Sequence, residues 1–384
     1  MMELPSQSNS FLLVTDGVIT DFGPMADCPD RSDQTVDCSG KYILPCWADS
    51  HTHIVFAGSR EGEYIQRIQG ASYEEIAAAG GGILNSAARL GTASEDELYE
   101  SAAKRLEEVM SMGTGAIEIK SGYGLTFASE LKMLGVIRRL KEDYVLPIKS
   151  TFLGAHAIPA AYQGNREGYI SEVVDRMLPI VASEGLADYI DVFCDEGFFT
   201  VDETAVIMDA GAKYGLKAKI HANELANSGG VQIGIAHDAV SVDHLEQIEA
   251  AEIEALSDSS TIPTVLPSVS FFLNIRYAPA RQMIDEGLGL AIASDYNPGS
   301  SPSGNVPFLI SLACNKMKLH PHEAINAATI NGAHAMEVGH LTGSITRGML
   351  ANIIVTKELP SLDFMPYAFG SNHIDAVYIK GQRV

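Results

Sequence analysis

Histidines and acidic residues that could carry chemistry fall at the ends of short apolar runs. They are His51 and His53, His156, His221 with Glu224, His244, and Asp295. Because residues i and i+2 of a strand point to the same side, His51 and His53 can bind one ion. His221 and Asp295 can complete a set of nitrogen and carboxylate ligands, which suits a divalent transition-metal ion. Such an ion keeps a position for water and lowers the pKa of that water toward neutrality.

Each of these residues also has a purely structural interpretation. The HTH segment can form a polar turn, and a single histidine at a strand end is often structural. Asp295 precedes Asn-Pro-Gly, so it can serve as a turn former. Unrelated structural histidines, however, have no reason to collect at the same end of successive strands. The joint pattern therefore favours a metal-dependent site.

Eight β-rich runs alternate with amphipathic helical stretches in the centre of the chain. The runs span residues 46–53, 116–122, 148–156, 189–197, 217–224, 239–244, 261–268 and 290–295. Strands that alternate with helices of this length are typical of βαβ units and a parallel sheet. Eight units predict an α/β fold, a (β/α)8 TIM-like barrel, whose active site lies where the carboxyl ends of the strands meet. An open doubly wound sheet is the alternative architecture.

The two ends of the chain differ from this centre. The segments FLLVTDGVITDFG and HIDAVYIKGQRV combine period-two apolar runs with Gly and Asp turns, which is typical of strands. We expect residues 1–45 and 345–384 to form a composite β-sandwich domain. Residues 46–344 would then form a metal-dependent barrel hydrolase domain.

The charge balance restricts the partners of the chain. Its 384 residues include 26 Lys and Arg against 49 Asp and Glu, a formal charge of −23. This acidic character argues against binding to nucleic acid or to a membrane surface. No apolar stretch approaches the roughly 18 residues of a membrane span, and the N-terminus does not resemble a signal peptide. Five scattered cysteines without a CxxC pair favour a reducing compartment, so we expect a cytoplasmic protein.

Longer motifs resemble one enzyme family. The segments similar to imidazolonepropionases, of the amidohydrolase superfamily, are PCWADSHTHIVFAGSREGEY, QGASYEEIAAAGGGIL, IKSGYGL, LGAHAIP, IHANEL, VDHLE and SDYNPGSSPS. HTH is a superfamily signal, whereas FAGSR, KSGYGL and DYNPGSS are much more specific. The resemblance continues in the C-terminal segments and covers nearly the whole chain. The chain departs from it at PCWAD, where members usually have PGLVD, and at HANE, where they usually have HADE.

The resemblance implies hydrolysis of the cyclic amide of 4-imidazolone-5-propanoate to N-formimidoyl-L-glutamate, a step of histidine degradation. It implies one zinc or iron ion per subunit, held by residues that match His51, His53, His221 and Asp295. The positions that match substrate contacts are Arg60, Tyr73, Tyr123, His156, Glu224, Asn297, Gly299 and Ser300. The family resemblance also suggests a homodimer.

The residue types suit a small anionic heterocyclic substrate. Arg60 can donate a bidentate pair of hydrogen bonds to the propionate. Glu224 can take a proton from the attacking water and pass it to the leaving nitrogen, and Asp295 is the alternative base. His244 can polarise the ring carbonyl or orient the water, and His156 can hold the ring.

We expect a single metal ion. Two-metal amidohydrolases commonly bridge their ions with a modified lysine or a carboxylate on the fourth strand, and the fourth run, YIDVFCDEG, has no lysine. Cys194 and Glu196 are possible further ligands, but a buried thiol and a solvated or hydrogen-bonded acid are the simpler interpretation.

Two other functions fit parts of the pattern. The same ligands would serve another mononuclear amidohydrolase, such as a nucleobase or aminoimidazole deaminase. An inactive barrel that acts as a binding scaffold is expected to have lost ligands, whereas the four candidate ligands and Glu224 are present.

Overall fold

The computed structural model describes residues 1–30, 32–71, 75 and 81–384. The strands are β1 (Ser10–Thr15), β2 (Val18–Pro24), β3 (Ile43–Pro45), β4 (Trp47–Asp49), β5 (Thr114–Lys120), β6 (Ile148–Ala155), β7 (Tyr189–Cys194), β8 (Lys217–Ala222), β9 (Ser241–His244), β10 (Ile262–Val265), β11 (Ala291–Ile292), β12 (Ile353–Thr356), β13 (Ile374–Ile379) and β14 (Gln382–Arg383). The helices are α1 (Glu61–Ile68), α2 (Ile83–Thr92), α3 (Glu95–Ser111), α4 (Phe127–Asp143), α5 (Arg166–Ser171), α6 (Leu178–Ser183), α7 (Val201–Lys213), α8 (Gly230–Ala236), α9 (Ala250–Ser257), α10 (Pro267–Leu273), α11 (Ala280–Asp285), α12 (Val306–Met317), α13 (Pro321–Asn326), α14 (Gly332–Ala335) and α15 (Phe364–Tyr367). Segments Glu172–Met177 and Ala327–Asn331 are π-helical, and Met25–Asp27 and Ala160–Tyr162 are 3₁₀ turns.

Strands β4 to β11 form a parallel eight-stranded sheet whose order follows the chain. Its first and last strands meet just beyond their carboxyl ends. Asp295 N donates to His51 O at 2.9 Å, and His53 N donates to Tyr296 O at 3.0 Å. These bonds close the sheet, so the predicted (β/α)8 TIM-like barrel is confirmed. Each of the eight predicted runs overlaps one barrel strand.

The barrel strands are buried on both sides, as a covered parallel sheet requires. All seven residues of β5 and all six of β7 are buried. On the outside, helix α3 turns Leu98, Leu106 and Val109 inward, and a capping box between Ser94 and Glu97 fixes its first turn. The apolar side chains of the strands and helices stabilise the barrel. Polar side chains are therefore tolerated just past the strand ends.

The two ends of the chain combine in small antiparallel sheets. Strand β3 pairs with β12 in a four-stranded sheet of order β14-β13-β12-β3, and β1 pairs with β2. Ile19 N donates to Met349 O at 2.8 Å, which joins the N-terminal hairpin to the C-terminal part. The small β-domain built from both termini is therefore confirmed, while the boundaries at residues 45 and 345 stay predictions.

In the described part of the chain, no helix combines the length and the apolar character needed to cross a membrane. All five cysteines are free thiols. The cytoplasmic location stays a prediction.

Candidate metal centre and active site

Three of the predicted ligands meet at the carboxyl ends of the barrel strands. His51 and His53 follow β4, and His221 lies in β8. The ring centroid of His51 is 5.3 Å from that of His53 and 4.5 Å from that of His221. One nitrogen of each ring lies within 4.8 Å of the other two nitrogens, and the three side chains are buried. The structure therefore gathers these histidines from distant parts of the sequence.

Asp295, the fourth predicted ligand, follows β11 and lies against the same group. Its Oδ1 atom is 3.5 Å from His51 Nε2 and 3.4 Å from His53 Nε2. Ser300 Oγ donates to Asp295 Oδ2 at 3.1 Å. Burial raises the pKa of Asp295, while the facing imidazoles of His244 and His221 act in the opposite direction. Asp295 thus adds a carboxylate oxygen beside the histidine nitrogens.

The histidine nitrogens are suited to bind a cation. Burial, together with Lys120, holds the pKa of His51 well below its usual value, and burial together with His156 does the same for His53. His51 Nε2 is buried and has no hydrogen-bond partner among the described residues. Metal binding requires unprotonated imidazole, and a buried polar atom is costly without a partner. The group therefore fits a divalent metal ion.

Two buried carboxylates lie beside the rings on the side of the barrel interior. Asp243 Oδ2 lies 2.6 Å from His51 Nδ1, and Asp191 Oδ2 lies 2.9 Å from His221 Nδ1. Ser241 Oγ donates to Asp243 Oδ1 at 2.5 Å, which fixes that carboxylate in turn. A carboxylate on the second nitrogen sets the orientation of a metal-binding histidine. His51 consequently directs Nε2 toward Asp295.

A network of buried charges lies behind these two carboxylates. Lys120 Nζ is 2.8 Å from Glu118 Oε1 and from Asp191 Oδ2, and 3.5 Å from Asp243 Oδ2. Lys219 forms an ion pair with Glu118, and all five side chains are fully buried. Burial alone would lower the pKa of Lys120, but Asp191 and Glu118 raise it well above its usual value. Three carboxylates and two ammonium groups leave one net negative charge beneath the histidines, which favours a bound cation.

Sequence reasoning gave these network residues no role. The signal was nevertheless present in the alternation of Glu118 and Lys120 within the otherwise apolar run AIEIK. Lys219 likewise precedes His221 by two positions, so both side chains point into the barrel. Charged residues at inward positions of a barrel strand require buried partners, and sequence alone does not say which residues those are.

Glu224 and His244, the two predicted proton-transfer residues, lie next to each other. Glu224 Oε2 is 3.5 Å from His244 Nδ1, and Glu246 Oε2 is 3.6 Å from the same nitrogen. Burial raises the pKa of Glu224 against the opposing effect of His244. Burial alone would lower the pKa of His244, but Glu224 and Glu246 raise it. The charges of the three groups are therefore coupled, and Glu246 is a site residue that sequence reasoning missed.

His156 and Tyr123 form an aromatic wall beside the histidine cluster. The ring of His156 stacks on that of His53 at 5.5 Å, and Tyr123 meets both rings edge-on at 5.3 and 5.5 Å. His156 Nδ1 lies 3.0 Å from Gly122 O. Burial, with His221, lowers the pKa of His156 to about 3. A neutral ring and a phenol facing the centre can bind a flat heterocycle by stacking and hydrogen bonding.

The loop after Asp295 brings the remaining predicted contacts together. Asn297 Oδ1 accepts from Gly299 N at 2.7 Å and from Ser300 N at 2.9 Å, and Asn297 Nδ2 donates to Asp295 O at 2.7 Å. The Asn297 amide thus holds the loop together. A Cβ at Gly299 would overlap Arg60 Nη1, so glycine is needed for the close approach of the guanidinium. Arg60 Nε donates to Glu63 Oε2 at 2.8 Å, which fixes the other edge of the guanidinium.

Arg67 is a second guanidinium at this loop, and sequence reasoning missed it. Its Nη2 atom donates to Gly299 O at 3.3 Å. Its Nη1 atom is buried and has no hydrogen-bond partner among the residues that the structure describes. Burial, with the nearby charge of Arg60, lowers the pKa of Arg67. Tyr73, the other residue expected near the carboxylate, lies outside the described residues.

Cys194 and Glu196 do not join the histidine cluster found in the described part of the chain. Cys194 is a buried thiol whose pKa is raised by burial. Glu196 is exposed. The simpler interpretation of both residues therefore holds.

Comparison with known proteins agrees with this geometry. The profile of the amidohydrolase family matches residues 42–384. The chain is 56% identical to the imidazolonepropionase of Christiangramia forsetii, with 100% of this chain and 94% of that protein covered. It is 41% identical to the imidazolonepropionase of Clostridium tetani, with 98% and 90% covered.

Solved structures share the fold at low sequence identity. A 5-methylcytosine deaminase from Klebsiella pneumoniae superposes with a TM-score of 0.76 at 15% identity, covering 97% of this chain and 93% of that one. A guanine deaminase from C. acetobutylicum gives a TM-score of 0.71 at 16% identity, covering 98% and 94%. These likenesses support the fold, whereas the sequence matches are much closer. The chain therefore belongs to the amidohydrolase family and, within it, to the imidazolonepropionases.

Proposed function

We propose that this chain hydrolyses 4-imidazolone-5-propanoate to N-formimidoyl-L-glutamate in histidine degradation. Water adds to the ring carbonyl carbon, the bond from that carbon to the ring nitrogen breaks, and the nitrogen receives a proton. The observation that carries the proposal is the buried group of His51, His53, His221 and Asp295, next to the Glu224–His244 pair.

We assign His51, His53, His221 and Asp295 as the ligands of one zinc or iron ion per subunit. Nitrogen ligands with a single carboxylate accept either metal. When bound, such an ion supplies a Lewis acid that acidifies water and polarises a carbonyl. Lys120 forms buried ion pairs with Glu118 and Asp191. Its ammonium group is therefore not available to bridge two metal ions.

Glu224 is the general base of the proposed reaction. Its carboxylate takes the proton from the attacking water and returns it to the leaving ring nitrogen. The Nδ1 atom of His244 lies 3.5 Å from Glu224 Oε2. The positively charged His244 ring donates a hydrogen bond to the developing oxyanion. Asp295 is the alternative base, but it already faces two histidine rings and Ser300.

The substrate would span the space between the histidine cluster and the loop of residues 297–300. Its ring lies against His156 and Tyr123, and Ser300 lies next to Asp295. Its propionate lies toward Arg60 and Gly299, where a guanidinium compensates for the unfavourable overall charge of the protein. Tyr73 and Asn297 complete the proposed contacts. A homodimer stays a prediction.

The test is hydrolysis of imidazolone propionate by the purified protein, with and without chelator, followed by readdition of zinc or ferrous iron. We expect activity that chelator removes and metal restores. Ammonia release from a nucleobase, without turnover of imidazolone propionate, would identify a deaminase instead. Absence of both hydrolysis of imidazolone propionate and ammonia release would contradict both proposed activities.

Two variants test the residue roles. Glu224→Gln is expected to lower kcat by about 10²–10⁴-fold while metal content stays normal, because it removes the base. Full kcat would exclude Glu224. Arg60→Met is expected to raise KM far more than it alters metal content, and an unchanged KM would remove Arg60 from the carboxylate site. Glu184→Gln, at an exposed ion pair with Arg138, is the control.

A further inference from the structure

Two loops at the mouth of the barrel are each fixed by one buried carboxylate that accepts several backbone N–H groups. We propose that Glu130 and Asp195 are positioning residues for the reaction. Glu130 fixes the loop that contacts the substrate ring, and Asp195 fixes the loop that carries the base. The kinetic part of this inference rests on the proposed function, whereas the loop contacts themselves do not.

Glu130 lies in the first turn of α4 and reaches back to the loop that follows β5. Its Oε1 atom accepts from Gly124 N at 2.8 Å and from Leu125 N at 2.9 Å, and its Oε2 atom accepts from Gly122 N at 3.1 Å. The Glu130 side chain is fully buried. A loop with left-handed backbone at Gly122 and Leu125 cannot pair these N–H groups within a helix or strand. The carboxylate supplies the missing acceptors.

The loop held by Glu130 presents two groups to the site. Tyr123 places its ring against His53 and His156. Gly122 O lies 3.0 Å from His156 Nδ1 and thereby sets the orientation of that ring. Loss of the carboxylate would displace Tyr123 and His156 together. Both belong to the proposed ring-binding wall, so the expected effect is on substrate binding.

Asp195 follows β7 and holds the loop after β8 in the same way. Its Oδ2 atom accepts from Glu224 N and Leu225 N, both at 2.8 Å. Its Oδ1 atom accepts from Ala226 N at 3.1 Å and from Ser228 Oγ at 3.2 Å. Asp195 is buried and touches the backbone of Glu224, so it acts on the base through the main chain.

The two variants should separate kinetically. Asp195→Asn replaces one of the two acceptor oxygens with an NH₂ group, which cannot accept from the N–H groups of residues 224–226, and a displacement of this loop by about 1 Å lowers turnover by about 10²-fold. We expect kcat to fall by that order with KM within about 3-fold. Glu130→Gln should raise KM by about 10-fold with kcat within about 3-fold, because ring contacts act before and during the chemical step. Asp96→Asn, at an exposed ion pair with Arg139, is the matched control.

A second readout does not depend on activity. Amide hydrogen exchange of the holoenzyme should rise in residues 224–226 for Asp195→Asn only, and in residues 122–125 for Glu130→Gln only. Metal content should stay at the wild-type value in both. If the wild-type protein does not hydrolyse imidazolone propionate, the proposed function fails, and exchange alone still decides whether the carboxylates fix the loops.

The outcomes that overturn the proposal are equally specific. Unchanged exchange in both loops, or the same kinetic change in both variants, would show that the carboxylates do not position separate groups. If Asp195→Asn does not fold, Ser228→Ala removes a weaker contact to the same carboxylate. That variant should lower kcat in the same direction by a smaller factor, and an unaltered kcat would overturn the role of Asp195.

Discussion

Replacement of Lys120 by methionine tests the charge network beneath the metal centre. Methionine is close to lysine in length but removes the ammonium, which lies 2.8 Å from both Glu118 and Asp191 and 3.5 Å from Asp243. At an effective dielectric constant of about 20, each of the closer contacts contributes about 6 kcal/mol of Coulomb energy before desolvation. The cost of burying the ammonium offsets most of this, and removal of one member of a buried pair costs about 3–5 kcal/mol.

We therefore expect Lys120→Met to lower the free energy of unfolding of the metal-free protein by about 3–5 kcal/mol. The control is Lys41→Met, because Lys41 Nζ also lies 2.8 Å from a carboxylate, that of Asp375, but with 25% and 43% of the two side chains exposed. Water screens this second pair, so its loss should change stability little. Both variants replace a lysine by methionine, and in both the lysine Nζ lies 2.8 Å from a carboxylate oxygen. They differ in how deeply the ion pair is buried.

Equilibrium unfolding in urea, followed by the fluorescence of Trp47, measures both variants. Trp47 is the single tryptophan of the sequence and is fully buried in β4, next to β5, which carries Lys120. If Lys120→Met destabilises the protein no more than Lys41→Met, the network does not stabilise the barrel. A second check is Lys120→Met combined with Asp191→Asn, which should recover part of the loss because one uncompensated charge is gone.

Three further predictions concern the site itself. Burial, with help from Glu246, raises the pKa of Glu224 to about 8, so Glu224 becomes a carboxylate base as the pH rises through that value. Glu246→Gln should therefore shift the acid limb of the kcat/KM profile to lower pH by about one unit. An acid limb that does not move would exclude this coupling. Arg67→Gln should raise KM with little change in kcat, because the buried Nη1 atom has no hydrogen-bond partner among the described residues and can donate to the substrate; an equal KM in steady-state kinetics would contradict this. Zinc at about 100 times its Kd should stabilise the metal-free protein by about 2.7 kcal/mol in urea unfolding, and His53→Ala should remove most of that gain.

Much of the fold and the metal group followed from sequence because both depend on local order. Strand-end positions of His51, His221 and Asp295 are visible along the chain, and a parallel barrel brings all strand ends to one side. Partnership across the barrel is not local. Lys120 meets Asp191 across 71 positions, and several acidic residues were available as partners. Sequence could therefore predict which side chains face inward, but not which of them pair.

The residues that fix the site loops were hidden for a related reason. Glu130 lies in the first turn of a helix, where an acidic residue is expected from helix electrostatics alone. Asp195, after a strand, resembles an ordinary turn residue. Their role depends on which N–H groups the neighbouring loops leave unpaired, and this is decided by the three-dimensional course of the loops.

Three residues at the mouth of the barrel adopt left-handed backbone conformations. His244 and Asp295 adopt left-handed φ values of 83° and 49°, and Asn223 adopts 54°. Such conformations cost about 1–3 kcal/mol each in residues with side chains and persist only where the surroundings determine them. At Asn223 the bond from Gln247 N to Asn223 O, at 2.7 Å, provides such support. Asparagine tolerates this conformation as aspartate does, so the change from HADE to HANE preserves the turn that directs Glu224 toward the centre. His244 and Asp295 thus enter the site through left-handed backbone at the strand ends, and the bond from Asp295 N to His51 O, at 2.9 Å, holds the second of them in place.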